Sequence, residues 1–368
     1  MTKHTVCICG GGNLAHVAGG YIASKEEYDV RLLTRHPEKW QPDHAITITD
    51  CNGKVFNAHF SVITDNPEIA VRGAETVILC LPGFAIAPTL ESIKPFLDST
   101  ATVGSVVSST GFFIMAKQIL QPATGLFGFQ RVPFIARTCE YGKSACLLGY
   151  KPSLSIATLN MDNHTGLQNL LSRMFDVPVH WLDSYLKVTL TNSNPLLHPS
   201  RLYGIFSNGP EVYDSPVGFY EDWDDFSSHT LIACDNEFGQ LLESLDVTRS
   251  DIPSILDYYE SYDASSLTRK IRSIDAFKGL YAPMVQTPQG KYVPDFKNRY
   301  FTEDFPYGIL IIKCFASKNG ISTPTIDSII SWGQKCMGKE YIINGKLAGR
   351  DLNETVAPYL SIRINELT

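Results

Sequence analysis

The stretch Thr5-Val6-Cys7-Ile8-Cys9-Gly10-Gly11-Gly12-Asn13-Leu14-Ala15 stands near the start of the chain and decides the fold of its first half. Residues 5–9 are apolar or β-branched, as in a buried strand, and three glycines follow at once. A helix-like stretch then runs to about Ser24-Lys25. A strand, a tight turn and a helix in this order predict the first unit of a parallel α/β sheet.

Short apolar runs and helix-like segments alternate beyond this unit. The apolar runs are Val30–Thr34, residues 60–64, Thr76–Leu81, Thr102–Val107, Ser144–Leu148 and Leu154–Thr158, and a helical stretch covers Gly166–Met174. This alternation predicts an α/β Rossmann domain with a doubly wound parallel sheet to which all these strands belong. The pattern ends near Trp181, so we expect the first domain to span residues 1–182.

Residues 183–368 show apolar residues at helical spacing instead. The helical stretches are Thr230–Leu245, Ile252–Tyr262, Ser265–Phe277, Pro306–Lys318 and Thr325–Cys336. We therefore expect a mostly α-helical C-terminal domain. The segment Tyr281–Asp295 contains proline and glycine and predicts a long surface loop.

Composition excludes several classes of partner. A chain with 44% hydrophobic and 19% charged residues is ordinary for a globular protein, and no apolar run is long enough to span a membrane. A net charge of -7 disfavours nucleic acid. The N-terminus does not resemble a signal peptide, so we expect a cytoplasmic protein with small-molecule partners. The oligomeric state stays open, with a homodimer as one option.

The nine cysteines predict no metal site. Cys7, Cys9 and Cys80 stand inside apolar runs and the total is odd, so we interpret the cysteines as small core residues. Cys7 and Cys9 share one face of a strand, but a zinc site would need a second pair.

The pattern Gly10-x-Gly12-x-x-Ala15 has the spacing of a dinucleotide-binding turn. Small residues permit the tight turn and the close approach of a pyrophosphate, which the helix N-terminus attracts. The alternative is a glycine-rich turn without a ligand, but the position between a strand and a helix favours a nicotinamide dinucleotide. The residues expected to bind it are Gly10, Gly12, Asn13, Leu14 and Ala15.

The choice of dinucleotide depends on Thr34-Arg35, after the second strand. An Asp or Glu there would bind the ribose hydroxyls of NAD and repel the 2′-phosphate of NADP. Thr34 can donate a hydrogen bond and Arg35 can bind a phosphate, so this segment favours NADP. NAD stays open, because Arg35 is equally explained as a solvated cation in a loop.

Two further segments follow the fourth and fifth predicted strands, at the edge of the sheet where ligands bind. Leu81 and Pro82 are expected to contact the nicotinamide side through their backbone. Ser109-Thr110-Gly111 could make the same kind of contact, but a turn without a ligand explains this segment equally well.

Three segments of the second half resemble the octopine/nopaline (opine) dehydrogenase family as a set. They are Asn194-Pro195-Leu196-Leu197-His198-Pro199, Arg299-Tyr300-Phe301-Thr302-Glu303-Asp304-Phe305-Pro306-Tyr307-Gly308 and Thr323-Pro324-Thr325-Ile326-Asp327. The resemblance extends over nearly the whole chain. By composition alone, the amide- and proline-rich segment around His198 predicts a break between helices, and a structural histidine would be the more common interpretation.

The resemblance implies that His198 and Asp304 form a catalytic dyad and that Arg299 holds a substrate carboxylate. It also implies that a reduced nicotinamide cofactor reduces an imine formed from a 2-oxo acid and an amino acid. An imidazole suits proton transfer near neutral pH, and a carboxylate would orient it. Asn194 would orient His198 or a substrate carbonyl, or cap a loop, and both interpretations stay open.

Two alternatives to this function remain. One is a 2-oxo acid reductase of the ketopantoate reductase type, which relies on a lysine in the helical domain. The other is a redox sensor that binds NADP without turnover. The presence of both His198 and Asp304 favours the opine dehydrogenase. The acidic run Glu221–Asp225 is expected to cap a helix, and Arg137 and Lys143 to be solvated cations.

Overall fold

The computed structural model describes residues 2–352 of the 368-residue chain. The chain divides into two compact units, with the division between Thr189 and Leu190. The residues just before the division are tied to the first unit, since the Gln130 side chain donates a 2.9 Å hydrogen bond to the Lys187 carbonyl. The boundary after residue 182 stays a prediction.

The first unit contains the expected alternation of strands and helices, together with elements that the sequence did not indicate. Its strands are β1 (His4–Cys9), β2 (Tyr28–Leu33), β3 (Ala45–Asp50), β4 (Val55–His59), β5 (Val62–Thr64), β6 (Thr76–Leu79), β7 (Thr102–Ser105), β8 (Gly125–Phe129), β9 (Phe134–Glu140), β10 (Ser144–Tyr150), β11 (Leu154–Leu159) and β12 (Val179–Leu182). Its helices are α1 (Asn13–Ala23), α2 (Pro67–Val71), α3 (Gly83–Ile93), α4 (Phe112–Ile119), α5 (His164–Phe175) and α6 (Leu186–Thr189).

The main sheet has the strand order β12-β11-β8-β7-β6-β1-β2-β5 within the described residues. Neighbouring strands from β8 to β5 are parallel. The last two strands at one end, β11 and β12, run the other way, because β11 pairs antiparallel with β8 and parallel with β12. Strand order reverses at β1, where β2 lies on one side and β6 on the other. The predicted Rossmann fold is confirmed, and β1 ends at its switch point.

A second sheet has the order β4-β3-β10-β9. The prediction that Ser144–Leu148 completes the main sheet is therefore wrong, since these residues lie in β10, between β3 and β9. Periodicity shows that Ala145 and Leu147 face a core, and both are buried. It does not show which sheet a strand joins, because both sheets bury one face in the same way.

Helix α1 packs closely against both sheets through small residues. A Cβ atom on Gly19 would lie 3.6 Å from the Ile8 side chain of β1, and one on Gly20 would lie 2.9 Å from the Ile48 side chain of β3. Ala15, which completes the glycine pattern, is fully buried. This close packing fixes where the N-terminus of α1 lies relative to the end of β1.

The second unit is mostly helical, as predicted. Its helices are α7 (Asn194–Phe206), α8 (Asp225–Ser244), α9 (Ile255–Tyr258), α10 (Ala264–Ser273), α11 (Arg299–Thr302), α12 (Leu310–Lys318) and α13 (Pro324–Met337), with a π-helical turn at Phe305–Ile309. Its strands are β13 (Met284–Gln286), β14 (Tyr292–Pro294), β15 (Ile342–Ile343) and β16 (Lys346–Leu347). Within residues 2–352, every helix is too short or too polar to cross a bilayer.

Two predictions in the second unit need correction. The segment Tyr281–Asp295 is not a structureless loop, because β13 and β14 form an antiparallel hairpin in it. The helix expected over Ile252–Tyr262 is shorter: α9 is capped by the Ser254 side chain, and Glu260, with a φ of 50°, follows its end.

The cysteines are core residues only in part. Cys7, Cys9 and Cys80 are buried, as expected. Cys139 and Cys146 instead form a disulfide between β9 and β10. The hairpin brings the two residues together, which an overall count of cysteines does not reveal. No cluster of three or more His, Cys, Asp or Glu groups within the described part of the chain is placed to hold a metal ion.

Candidate active site

The glycine turn between β1 and α1 combines a position that only glycine can occupy with one that is open. Gly10 has a φ of 141°, and a Cβ atom there would lie 2.5 Å from the Cys80 carbonyl oxygen. Gly12 is exposed, and a Cβ atom on it would meet no protein atom within 4 Å. The first glycine therefore permits the turn itself, and the second leaves room for a ligand against the backbone.

The N-terminus of α1 suits a bound anion. No side chain of the described residues caps α1, and its first turn contains no acidic residue. Its first N–H groups therefore have no carboxylate competing for them, and a helix of this length presents a partial positive charge. The geometry fits the pyrophosphate of a dinucleotide.

The other residues predicted from the turn have different environments. Asn13 is exposed, and its side-chain oxygen accepts a 3.0 Å hydrogen bond from the Thr138 N–H of β9. Leu14 is half-buried and Ala15 is buried. Asn13 therefore holds the second sheet near the turn, while Ala15 contributes its small size to packing.

Thr34 and Arg35 follow β2 at the same edge of the sheet. Thr34 is buried, and its hydroxyl lies 2.7 Å from where a Cβ atom of Gly11 would be. Arg35 is exposed. The structure therefore brings Thr34 to the glycine turn and directs the chain at Arg35 toward solvent.

Leu81 and Pro82 follow β6, the neighbour of β1. Both are half-buried, and Pro82 is the N-cap residue of α3. In the segment after β7, Ser108–Thr110 forms a turn of 3-10 helix, which Gly111 ends with a φ of 87°. Ser109-Thr110-Gly111 therefore forms a turn, and contacts of this turn, Leu81 or Pro82 with a cofactor stay a prediction.

His198 lies inside helix α7, so the predicted helix break is wrong. Proline at the second position of a helix costs no hydrogen bond, which explains why Pro195 does not prevent the helix from starting. Pro199 removes one hydrogen bond inside it. Residues 195–202 are buried throughout, and this burial stabilises the helix against the effect of Pro199.

His198 and Asp304 are hydrogen-bonded, although 106 residues separate them. The His198 Nδ1 to Asp304 Oδ2 distance is 2.8 Å. The side chains are 8% and 14% exposed, so the pair is shielded but still reached by solvent. Because Nδ1 faces the carboxylate, Nδ1 carries the proton in the neutral imidazole, and Nε2 is left to exchange protons with other groups.

The π-helical turn places Asp304 opposite α7. The Ile309 N–H donates a 2.9 Å hydrogen bond to the Asp304 carbonyl, five residues back. Gly308 packs against α7, since a Cβ atom on it would lie 3.2 Å from the Pro195 Cα atom. Turns of this kind are frequent at functional sites, and this one brings a carboxylate to the histidine of a neighbouring helix.

Aromatic side chains that sequence reasoning missed surround the His198 ring. The Tyr220 hydroxyl lies 3.2 Å from His198 Nε2. The Tyr300 ring centroid lies 4.6 Å from that of His198, and the Phe219 ring meets it edge-on at 5.5 Å. Burial raises the pKa of Tyr220 far above its usual value, so its hydroxyl stays protonated. Phe219 and Tyr220 lie in an aromatic-rich stretch without a recognisable spacing, and Tyr300 lies in the second segment of the family resemblance, where only Arg299 and Asp304 were singled out.

Asn194 and Arg299, the predicted substrate-binding residues, are both exposed. Asn194 begins α7 one turn before His198, so the two residues share a helix face. Arg299 begins α11, next to Tyr300, and its charge slightly opposes the rise that burial causes in the pKa of Tyr300. Both lie close along the chain to residues of the His198 site, and their roles stay predictions.

The other charged residues that the sequence analysis singled out are a helix cap and two exposed cations. The Asp224 side chain accepts a 2.7 Å hydrogen bond from the Ser227 N–H and caps α8, as expected for the acidic run. Arg137 is exposed, and Lys143 forms an ion pair with Glu140.

A Rossmann unit with an open glycine turn, followed by a helical unit with a shielded His–Asp pair, defines a nicotinamide-dependent dehydrogenase. Residues 181–337 match the family described as NAD/NADP octopine/nopaline dehydrogenase, alpha-helical domain. Octopine dehydrogenase of Pecten maximus is 31% identical over 381 residues, covering 96% of this chain and 95% of the relative. Tauropine dehydrogenase of Arabella iricolor is 31% identical over 386 residues, covering 95% and 96%.

A solved structure of octopine dehydrogenase with NADH and L-arginine superposes with a TM-score of 0.84 at 29% identity, covering 98% of this chain and 95% of that one. The chain belongs to the octopine/opine dehydrogenase family and is an NAD(P)-dependent oxidoreductase. The resemblance inferred from three segments of the second half is confirmed.

Proposed function

We propose that this enzyme condenses the amino group of an amino acid with a 2-oxo acid and reduces the resulting imine with NADPH. The observation that carries the proposal is the 2.8 Å hydrogen bond between His198 and Asp304 in a chain of the opine dehydrogenase family. The reduced nicotinamide supplies a hydride to the imine carbon. The chain itself must bind two substrates, move protons and limit the access of water.

His198 moves the protons. When the amine attacks the carbonyl carbon, the carbonyl oxygen has to take up protons and leave as water. His198 Nε2 delivers a proton to that oxygen, which takes the place of the Tyr220 hydroxyl as the acceptor, and Nδ1 stays hydrogen-bonded to Asp304. The Asp304 carboxylate stabilises the imidazolium and holds its ring orientation, as the carboxylate does in hydrolytic triads.

Arg299 and Asn194 bind substrate in this proposal. Both substrates carry a carboxylate, and an exposed guanidinium can hold one through two parallel hydrogen bonds. Asn194, on the same helix face as His198, offers an amide to a substrate carbonyl. In the sequence, the polar Asn194 lies close to His198 and the cationic Arg299 lies close to Asp304.

The preference for NADPH rests on the end of β2. Thr34 fills the place beside the glycine turn where a carboxylate would select NAD, and the exposed Arg35 follows it. A guanidinium there stabilises a 2′-phosphate by charge-assisted hydrogen bonds.

A lysine-dependent reductase is less well supported. Lys313, a buried lysine of the helical unit, lies 2.7 Å from Asp327 and 2.9 Å from the Thr323 hydroxyl. Both contacts hold its ammonium in the packing between α12 and the start of α13, so it is committed to a structural pair.

The test is a matrix of 2-oxo acids and amino acids, L-arginine among them, assayed for oxidation of NADPH and of NADH. We expect oxidation that requires both substrates, and a secondary amine dicarboxylate as the product. Oxidation with the 2-oxo acid alone would indicate the simple reductase. NADPH binding without turnover for any pair would indicate the sensor.

A further inference from the structure

Arg201 is a fully buried arginine one turn after His198 on helix α7. Its side chain is 1% exposed, and all five of its N–H donors have acceptors. Nε donates to the Phe219 carbonyl at 2.7 Å. One terminal nitrogen donates to the Asp224 carboxylate and the Ser227 hydroxyl, and the other to the Gly218 and Asp222 carbonyls at 3.2 and 2.6 Å.

This arrangement differs from an ordinary buried ion pair. Burial lowers the pKa of Arg201 to about 10, with Asp224 opposing the change, so the guanidinium is charged at neutral pH. Its carboxylate partner, Asp224, is 47% exposed and 3.3 Å away, while its shortest contacts are to backbone carbonyls. Burying a charge is costly, and an apolar side chain of similar size would often stabilise a core equally well. The hydrogen bonds of the arginine instead fix the backbone conformation of residues 218–224.

That backbone carries the residues in contact with His198. Phe219 supplies the ring that meets the imidazole edge-on, and Tyr220 supplies the hydroxyl 3.2 Å from Nε2. Tyr220 is held from its other side by Phe277, whose ring stacks on it at 4.0 Å. Helix α7 therefore contributes both the histidine and the arginine that shapes the segment opposite the histidine.

We propose that Arg201 is a positioning residue that holds Tyr220 against His198, so that the Tyr220 hydroxyl orients Nε2 and favours the proton-donating imidazolium. The inference rests on the proposed function of His198. The chain of contacts is Asp304 to Nδ1, Nε2 to Tyr220, and the Tyr220 backbone segment to Arg201.

A tyrosine hydroxyl can serve both protonation states of the histidine. It donates to Nε2 when the imidazole is neutral, and it accepts from the Nε2 N–H when the imidazole is charged. Hydrogen bonds to a charged group are about twice as strong as neutral ones. Loss of the hydroxyl therefore destabilises the imidazolium more than it destabilises the neutral imidazole. The other groups that face His198 are Asp304 and Tyr300, with the Arg299 charge beside Tyr300, and they remain unchanged.

The test compares pH profiles of kcat/KM in the reductive direction, where the imidazolium donates the proton and activity is lost as pH rises. In Tyr220→Phe we expect this loss to occur at lower pH by about half a unit or more, with kcat reduced about tenfold. In Arg201→Met we expect a shift in the same direction. The double variant should shift no further than Tyr220→Phe, because Arg201 acts through Tyr220.

Arg249→Met is the matched control. Arg249 also binds a carboxylate and a backbone carbonyl, both of Asp235, but has no contact with residues 218–224 among the described hydrogen bonds. It should leave the pH profile in place. Tyr220→Phe keeps the ring contacts with Phe277 and tests the proposal even where Arg201→Met does not fold.

An unchanged profile in Tyr220→Phe, or additive shifts in the double variant, would overturn the proposal. Full activity in His198→Ala would instead overturn the proposed function itself, so the two failures can be told apart.

Discussion

The glycine turn and the His198–Asp304 pair are built from sequence in different ways. The turn uses consecutive residues, Gly10–Ala15, and depends on backbone conformation and on the space beside each glycine. The pair joins residues 106 positions apart and depends on the contact between α7 and the π-helical turn at Gly308. A local backbone requirement leaves a spacing that can be recognised in a single sequence. A pair formed by packing leaves none, and here it could be predicted only from the resemblance to a family.

The largest effect expected at the turn is that of Gly10→Ala. A Cβ atom at this position would meet the Cys80 carbonyl oxygen at 2.5 Å, and a φ of 141° is strained for alanine. We expect a loss of about 3 kcal/mol or more in the free energy of unfolding, measured by chemical denaturation. Unchanged stability would mean that the turn is not held by the contact between β1 and β6.

Gly12→Ala separates folding from ligand binding at the same turn. A Cβ atom here meets no protein atom within 4 Å, so stability should change by less than about 1 kcal/mol. Affinity for NADPH should fall about tenfold or more, because the methyl group occupies the space of the pyrophosphate. Titration of the cofactor by fluorescence measures this. Unaltered affinity would place the pyrophosphate elsewhere.

Arg35→Ala tests the choice of cofactor. Loss of a charge-assisted contact should weaken NADPH about tenfold and leave NADH nearly unchanged. The matched control is Arg31→Ala, since Arg31 lies within β2 and its guanidinium donates a 2.7 Å hydrogen bond to the Arg72 carbonyl. Equal affinities for the two cofactors in the native protein would remove the argument for NADP.

The smallest effect concerns His16, which ties the turn to the second sheet. It is fully buried, its Nδ1 bonds the Gly12 carbonyl at 2.9 Å, and its Nε2 accepts from the Gly142 N–H at 2.9 Å. Burial lowers the pKa of His16. In mildly acidic solution the unfolded chain therefore binds a proton at His16 that the folded chain does not bind. The free energy of unfolding should therefore fall as pH drops below about 6.5.

His16→Gln is the control for this pH dependence, since glutamine can accept from the Gly142 N–H without titrating. The decrease in the free energy of unfolding between neutral and mildly acidic pH should be smaller in the variant. Burial also lowers the pKa of His4, but this contribution is the same in both proteins. Parallel curves for the two proteins would contradict the prediction.

Much of the fold could be predicted from periodicity, and the exceptions share a cause. The second sheet was missed because β3, β4 and β9 mix polar and apolar residues, and β10 was assigned to the wrong sheet because strand pairing is a long-range property. The helix around His198 was missed because local rules for proline do not include the burial that stabilises α7. Tyr220 reaches His198 through the backbone course that Arg201 sets, which no spacing encodes.

The proton-transfer role of His198 and Asp304 is tested most directly by a double-mutant cycle on His198→Ala and Asp304→Asn, with kcat on the true substrate pair and the Kd of NADPH measured for each protein. Because the two residues act as one unit, each single substitution should lower kcat by about 10²–10⁴-fold and leave the Kd of NADPH nearly unchanged. The double variant should be no slower than His198→Ala, because Asp304 then has nothing to orient. Full turnover in His198→Ala, or losses that multiply in the double variant, would contradict the central claim.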